Sequence, residues 1–168
     1  AKVPNLVSGA ADLYPSTDAY IKEGGDLKGD NFAARNVHYG IREHGMGSIL
    51  NGMTLHKGLI PFSSTFLMFY DYMRPTLRLA ALMRNPMLMV YTHDSIGLGE
   101  DGPTHHGAYD IPYMRCVPHM IVSAPMNESE LRNLMYTAQL DTVKEPFVIR
   151  YPRGEGVMPE WRKPLTEI

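Results

Sequence analysis

Residues 87–106 read MLMVYTHDSIGLGEDGPTHH, an apolar run followed by glycines, histidines and carboxylates. The apolar half, residues 87–91, predicts a buried strand. In the polar half, glycines allow tight turns and a close approach to a ligand, and imidazoles and carboxylates exchange protons near neutral pH. Open α/β sheets bind ligands at the carboxyl ends of their strands. This stretch therefore predicts a ligand-binding loop of an α/β protein.

Short apolar runs and helical patterns alternate along the rest of the chain. The patterns predict strands at residues 5–8, 36–39, 58–63, 120–123 and 147–150, and helices at residues 43–56, 66–83, 108–115 and after Asn127. Pro75 is expected to kink the second helix or to mark a first turn after a break. Asn127 and Glu130 have the spacing of a capping box. Because strands and helices alternate with short connections, we expect an α/β fold, a mostly parallel sheet with helices on both faces.

The bulk properties are those of one globular domain of 168 residues. A formal net charge of -2 gives no electrostatic footprint for nucleic acid or an anionic membrane. No apolar run approaches the ~20 residues of a membrane helix, and the first residues lack a signal-peptide profile. The single cysteine, Cys116, suits a reducing compartment. We expect a cytoplasmic protein without nucleic-acid or membrane partners.

Two groups of residues follow other predicted strands. Glu43 begins a predicted helix, where a carboxylate either complements the positive helix end or points into a pocket and shares a proton with a ligand. Phe66, Phe69 and Tyr72 are three residues apart, so they are expected to share a helix face. Such a stripe is typical of a core, although a place after a strand-end loop also suits the packing of a flat ring.

Histidines and arginines supply further candidates. His93, His105 and His106 suggest a metal, but zinc needs a fixed set of ligands and no cysteine pair supports one. The glycines between them favour a loop around an organic substrate, and no metal site is predicted. Arg150 and Arg153 end the last strand, where guanidinium groups either grip phosphate or lie exposed for solubility.

Four segments in order resemble the pyrimidine-binding (middle) domain of the transketolase family of thiamin diphosphate enzymes: SGAADLYPS, YGIREHGMGSILNGM, PFSSTFLMFYDY and THDSIGLGEDGPTH. The resemblance covers nearly the whole chain, and its last segment is highly specific. It implies the thiamin diphosphate-binding fold and a transferase that moves a two-carbon ketol unit between sugar phosphates. Residues 1–156 would form the domain, with residues 157–168 as a tail or linker to a C-terminal domain.

The resemblance also implies roles at the cofactor. Glu43 takes the position of the catalytic glutamate that bonds N1′ of the aminopyrimidine ring and favours the imino tautomer, whose nitrogen deprotonates the thiazolium carbon. Phe66, Phe69 and Tyr72 match the aromatic wall around this ring.

On the substrate side, the resemblance implies a channel for sugar phosphates. His93 and His105 would be catalytic, binding substrate oxygens and assisting proton transfer. The other residues that would line the channel are Asp12, Ser16, Asp101 and a phosphate-gripping arginine, either Arg150 or Arg153.

From Gly107 onward the chain is more similar to 1-deoxy-D-xylulose-5-phosphate synthase, which shares the fold and cofactor but joins pyruvate to glyceraldehyde 3-phosphate. The synthases usually carry Arg where Phe69 stands and lack the histidine of the THDS segment. The active-site half therefore favours transketolase, and the synthase remains the alternative.

The family's diphosphate-binding domain, whose GDG motif and downstream Asn hold Mg²⁺ or Ca²⁺, has no counterpart in these residues. The resemblance implies that the cofactor lies between this domain and that one, in a homo- or hetero-oligomer. The chain would then supply half of an active site. A further alternative is a catalytically silent subunit that completes another subunit's interface.

Overall fold

Six strands form one sheet in the computed structural model, which describes residues 2–94, 96–158 and 160–168. The strands are β1 (Leu6–Ala10), β2 (Asn36–His38), β3 (Ile60–Phe66), β4 (Leu88–Asp94), β5 (Ile121–Ser123) and β6 (Phe147–Pro152). Their order across the sheet is β2-β1-β3-β4-β6-β5, and every neighbouring pair is parallel.

Helices connect these strands. They are α1 (Tyr14–Thr17), α2 (Glu43–His56), α3 (Tyr70–Leu82), α4 (Asp110–Arg115) and α5 (Glu128–Thr137), with 3₁₀ segments at Leu67–Phe69 and Ile96–Asp101. The prediction of an α/β fold with a parallel sheet and helices is confirmed. Among the described helices, none is long and apolar enough to cross a membrane.

The strand order places a crevice beside β1. From β1 the chain moves to β2 on one side, and it later returns to β3 on the other side. Ala10 pairs with Ser64, and Phe66 pairs with Thr92, so the loops after β1, β3 and β4 leave the same edge of the sheet. In open α/β sheets such a switch in direction leaves room for a ligand.

The core lies where α2 and α3 pack together near β4. Met46, Leu50, Met73 and Tyr91 are at most 1% exposed, and the Tyr91 hydroxyl donates to Met73 Sδ at 3.3 Å. Methionine suits such a place because its flexible thioether fills irregular gaps. This packing fixes the end of β4, from which the loop with His93 and His105 leaves the sheet.

The predicted helix at residues 66–83 is wrong at its start. Phe66 is the last residue of β3, a 3₁₀ turn follows, and α3 begins at Tyr70. Pairing with β4 continues up to Phe66 and Thr92, and these tertiary hydrogen bonds override the local helical pattern. Pro75 lies inside α3, which continues to Leu82, so it does not break the helix.

The start of α5 follows the predicted capping pattern. Asn127 Oδ1 accepts the backbone N–H of Glu130 at 3.0 Å. The Glu130 carboxylate accepts from the backbone N–H of Met126 at 2.5 Å, one residue before the partner expected for a capping box. The segment after β6 runs along this helix, with the Ile168 N–H donating to Thr137 Oγ1 at 3.0 Å.

Candidate active site

Glu43 is the first residue of α2 and is only 8% exposed. Three features of the turn from β2 place it there. The Tyr39 N–H donates to Ala10 O at 3.1 Å, Gly40 has a positive φ of 66°, and the Arg42 guanidinium folds back to donate to Tyr39 O at 2.9 Å. The turn thus ties the start of α2 to the end of β1.

The Glu43 side chain faces a cleft of about 530 Å³. The other lining residues are Ala11, Asp12, Leu13, Ile41, Phe69 and Tyr72. Among the described residues the Glu43 carboxylate has no hydrogen-bond or ion-pair partner. The helix end favours a negative charge there, and only 8% of the residue is exposed. The arrangement leaves Glu43 ready to bind a hydrogen-bond donor from outside the chain.

Three aromatic rings connect this cleft to the neighbouring loop. Phe66 and Phe69 are stacked with centroids 5.9 Å apart, and Phe69 and Tyr72 are 5.9 Å apart and tilted. The rings do not share one helix face as expected, because Phe66 belongs to β3, Phe69 to the 3₁₀ turn and Tyr72 to α3. They nevertheless form one continuous wall, with Tyr72 66% exposed at its outer end.

His93 packs against the inner end of that wall. Its ring lies 3.8 Å from the Phe66 ring, nearly parallel at 23°. The side chain is 7% exposed, and its backbone is left-handed with a φ of 58°. Burial lowers the pKa of His93, and the positive charge of Arg153 acts in the same direction. His93 is therefore poised to be neutral near pH 7 and to exchange a proton with a ligand.

His105 reaches the same wall from the far side of the loop. Its ring meets Phe69 edge-on at 5.2 Å and Phe66 at 6.0 Å. In each of His93 and His105, Nδ1 lies within 2.8 Å of the hydroxyl of the preceding threonine. Within the described part of the chain, Nε2 of both rings has no hydrogen-bond partner, so it remains available to a substrate.

The structure does not assemble the histidines into a metal centre. The rings of His93 and His105 are packed on Phe66, and His106 has a buried Nε2 without a partner in the described residues. Across residues 2–94, 96–158 and 160–168, no group of three or more His, Cys, Asp or Glu side chains is arranged to hold a metal.

The two candidate arginines have different surroundings. Arg150 is 8% exposed and forms a buried ion pair with Asp94. Arg153 has a side chain 46% exposed, and its Nη1 donates to Glu100 Oε1 at 2.8 Å. Asp101, which ends the second 3₁₀ segment, is exposed and acts electrostatically on both His93 and Arg153. Arg153 and Asp101 thus border the open side of the loop.

Asp12 and Ser16 follow β1. Asp12 is exposed with a left-handed φ of 64°, and it lines both the Glu43 cleft and an adjacent cleft of about 640 Å³. In that larger cleft Asp26 is already engaged, by the Tyr20 hydroxyl and by His38 Nε2, each 2.8 Å from Oδ1. Ser16 is exposed on α1, outside the described residues that line these two clefts.

Sequence reasoning missed several residues of this region. Leu13 and Ile41 supply apolar surface of the Glu43 cleft, and the 79% exposure of Ile41 marks it as a rim residue. Asp94 and Asp110 are buried charges beneath the loop. Asp94 could have been found from the sequence, because it follows His93 directly at the end of a predicted strand. The sequence around Asp110 carries no such signal.

The fold and this edge of the sheet define an α/β domain with a candidate ligand site at the carboxyl ends of its parallel strands. The chain matches the family described as transketolase, pyrimidine binding domain, over residues 1–157, and it belongs to that family.

Transketolases are also its relatives among whole proteins. That of Geobacillus stearothermophilus is 48% identical over 76% of this chain and 19% of its own length, and that of Aquifex aeolicus is 47% identical over 77% and 19%. Among solved structures, transketolase from Leishmania mexicana superposes with a TM-score of 0.83 at 37% identity, over 88% of this chain and 22% of that one. The Pichia stipitis transketolase complex with sedoheptulose 7-phosphate gives 0.75 at 34%, over 89% and 22%. The chain thus spans about a fifth of these relatives.

Proposed function

We propose that this chain is the pyrimidine-binding part of a thiamin diphosphate-dependent transketolase, which transfers a two-carbon ketol unit between sugar phosphates. The observation that carries the proposal is Glu43, a residue only 8% exposed, whose carboxylate has no partner among the described residues and faces a cleft walled by Phe69 and Tyr72. The names of the solved and curated relatives support the same reaction.

The cleft fits the pyrimidine ring of the cofactor. A flat heteroaromatic ring stacks favourably on Phe69 and Tyr72, and the Glu43 carboxylate offers the acceptor that a protonated ring nitrogen needs. When bound, thiamin diphosphate supplies the carbon nucleophile for the ketose carbonyl. Glu43 would hold the proton at N1′ and thereby set the tautomer of the ring.

The loop after β4 would handle the substrate. Nε2 of His93 and of His105 can bind donor and acceptor oxygens, and the lowered pKa of His93 lets it accept a proton near pH 7. Asp101, Asp12 and Ser16 would bind further hydroxyls from the open side.

Arg153 is the stronger candidate for the sugar phosphate. Its guanidinium is half exposed beside Glu100, whereas the Arg150 guanidinium is buried against Asp94. A phosphate could displace Glu100 and form a bidentate contact with Arg153 without entering the core.

The rest of the site would come from elsewhere. We propose that residues 1–156 form the pyrimidine domain and residues 157–168 lead towards a further domain. A diphosphate-binding domain or subunit would hold Mg²⁺ or Ca²⁺ and the cofactor's phosphates, in a dimer or hetero-oligomer in the cytoplasm.

The test is turnover of the assembled enzyme with Glu43 replaced. Glu43→Ala and Glu43→Gln should each lower thiamin diphosphate-dependent ketol transfer by about 10²–10⁴-fold, the usual contribution of a proton-transfer group. Glu167→Ala, which removes an exposed carboxylate, is the matched control. Unchanged turnover in both Glu43 variants would reject the proposal.

Donor choice separates the synthase alternative, which the resemblance of residues 107–168 favours. Transketolase uses xylulose 5-phosphate as donor, whereas pyruvate consumption with release of CO₂ would identify the synthase.

A silent-subunit role predicts that the assembled complex turns over equally well with and without Glu43. Calorimetry of the chain with thiamin diphosphate and magnesium tests separately whether the chain supplies only half of the cofactor site. Tight binding by the chain alone would contradict that proposal.

A further inference from the structure

A cluster of three charged side chains lies beneath the loop that carries His93. Asp94 and Arg150 are each 8% exposed and form an ion pair, and Asp110 at the start of α4 is 1% exposed. Arg150 Nε and Asp110 Oδ2 are buried without a hydrogen-bond partner in the described residues. Burying a charge costs free energy unless the charge is paired, so we expect this cluster to have a structural or functional role.

The ion pair sits at an irregularity in the sheet. Tyr91 pairs with Arg150 and Asp94 pairs with Pro152. Between these two paired positions β4 therefore has one more residue than β6, which is a β-bulge. Such a bulge bends a strand and re-aims a side chain. His93 lies inside it with a φ of 58°, a conformation that persists in non-glycine residues only when the surroundings hold it.

Arg150 lies opposite this bulge, on the neighbouring strand β6. Its backbone pairs with Tyr91 on one side of His93, and its side chain binds Asp94 on the other side. The two attachments bracket His93 from both directions.

The far end of the loop is attached to the same cluster. Gly107 packs so closely on the Asp110 carboxylate that any side chain at this position would collide with it. The Tyr113 hydroxyl donates to Asp110 Oδ1 at 3.3 Å. Both ends of the segment that carries His93 and His105 therefore rest on buried carboxylates.

We infer that Asp94 and Arg150 are a positioning pair, which holds the β4 bulge so that His93 stacks on Phe66 with Nε2 free for the substrate. The inference rests on the proposed function for its catalytic meaning. It assigns Arg150 to positioning and leaves phosphate binding to Arg153.

The first test is structural and needs no turnover. Crystal structures of the assembled enzyme are compared for the parent, Asp94→Asn and Arg150→Met. We expect the His93 and Phe66 rings, 3.8 Å apart in the parent, to separate and the left-handed backbone at His93 to relax. A bulge and ring stack unchanged in both variants would overturn the inference.

The double variant Asp94→Leu/Arg150→Met guards against failure to fold. Replacing a buried ion pair by apolar residues of similar size commonly preserves stability, so its melting temperature should stay close to that of the parent. We nevertheless expect kcat/KM to fall by about 100-fold, the typical cost of a displaced reacting group. Asp30→Asn/Arg78→Met, which removes two exposed charges of opposite sign, is the control and should keep parental kinetics.

Kinetic comparison distinguishes positioning from phosphate binding. Arg150→Met should lower turnover of phosphorylated and unphosphorylated aldehyde acceptors alike, whereas Arg153→Met should affect only the phosphorylated one. A loss confined to the phosphorylated acceptor in Arg150→Met, with the ring stack intact, would make Arg150 a phosphate ligand. If Glu43 variants retain full turnover, the proposed function fails while the ring geometry still judges the positioning pair.

Discussion

Glu43 and Asp94 are carboxylates with the same exposure, 8%, at the same edge of the sheet. Asp94 is neutralised by Arg150 from β6, whereas Glu43 has no partner in the described residues and faces a cleft. Burial is equal, so burial alone does not reveal which carboxylate meets a ligand. The difference is whether the fold itself supplies the opposite charge or the hydrogen-bond donor.

The largest expected effect follows from replacing the unpartnered carboxylate. Glu43→Gln should lower turnover by about 10²–10⁴-fold but should leave the melting temperature unchanged or raise it, because the amide is cheaper to bury without a partner than the charge. Activity assays and thermal unfolding of the same preparation check both halves. A marked loss of stability would mean that Glu43 has a structural partner after all.

Asp94→Asn, unlike Glu43→Gln, should lower the stability of the fold. It leaves the buried Arg150 without its ion-pair partner, and breaking a buried pair in this way typically costs about 3–5 kcal/mol. The free energy of unfolding from urea titration measures this cost, with Asp71→Asn, which breaks the exposed pair with Arg74, as control. A change as small as that of the control would show that water already solvates the pair.

The two carboxylates also differ in how visible they are in the sequence. Glu43 stands at the start of a clear helix pattern and within a specific family motif, so local reading and resemblance both single it out. Asp94 is adjacent to His93 in the sequence, but its partner Arg150 is 56 residues away. Pairing over that distance depends on β4 and β6 lying side by side, which no local pattern encodes.

The same reason explains the error at Phe66. Strand pairing with β4 extends β3 up to this residue, while the apolar spacing around it is typical of a helix. The predicted contact among Phe66, Phe69 and Tyr72 is present in the structure, although it arises from three different elements. Side-chain chemistry is readable from the sequence here, and the non-local backbone pairing is not.

Arg153→Met tests the difference between the two arginines, and its expected effect on kinetics is smaller. Losing one charge-assisted contact to phosphate is worth about 1.5–3 kcal/mol, or about 10–100-fold in affinity. KM for a phosphorylated acceptor should rise accordingly, while unfolding should change little because the Arg153–Glu100 pair is exposed. Glu100→Gln is the matched control, since it frees the same guanidinium without removing it. An unchanged KM in Arg153→Met would exclude this arginine from phosphate binding.

The smallest expected effect comes from Asp110. Among the described residues this buried carboxylate neither forms a direct ion pair, as Asp94 does, nor lines the cleft, as Glu43 does. Burial raises its pKa, and Arg150 opposes the shift while Asp94 adds to it. A raised pKa in the folded state means that Asp110 binds its proton more tightly there than in the unfolded chain. Its contribution to stability is therefore present below the unfolded value of 3.8 and is lost as the pH rises through the folded value.

Asp110→Asn removes this titration, so the variant should gain stability relative to the parent as the pH rises through the folded pKa of Asp110. Urea unfolding of both proteins at a series of pH values measures the difference. Glu167→Gln, at an exposed position, should show no such trend. If the difference between Asp110→Asn and the parent ran in the opposite direction, Arg150 would dominate the environment of Asp110. The buried cluster would then consist of one arginine shared by two ionised carboxylates, and Asp110 would belong with Asp94 among the partnered charges.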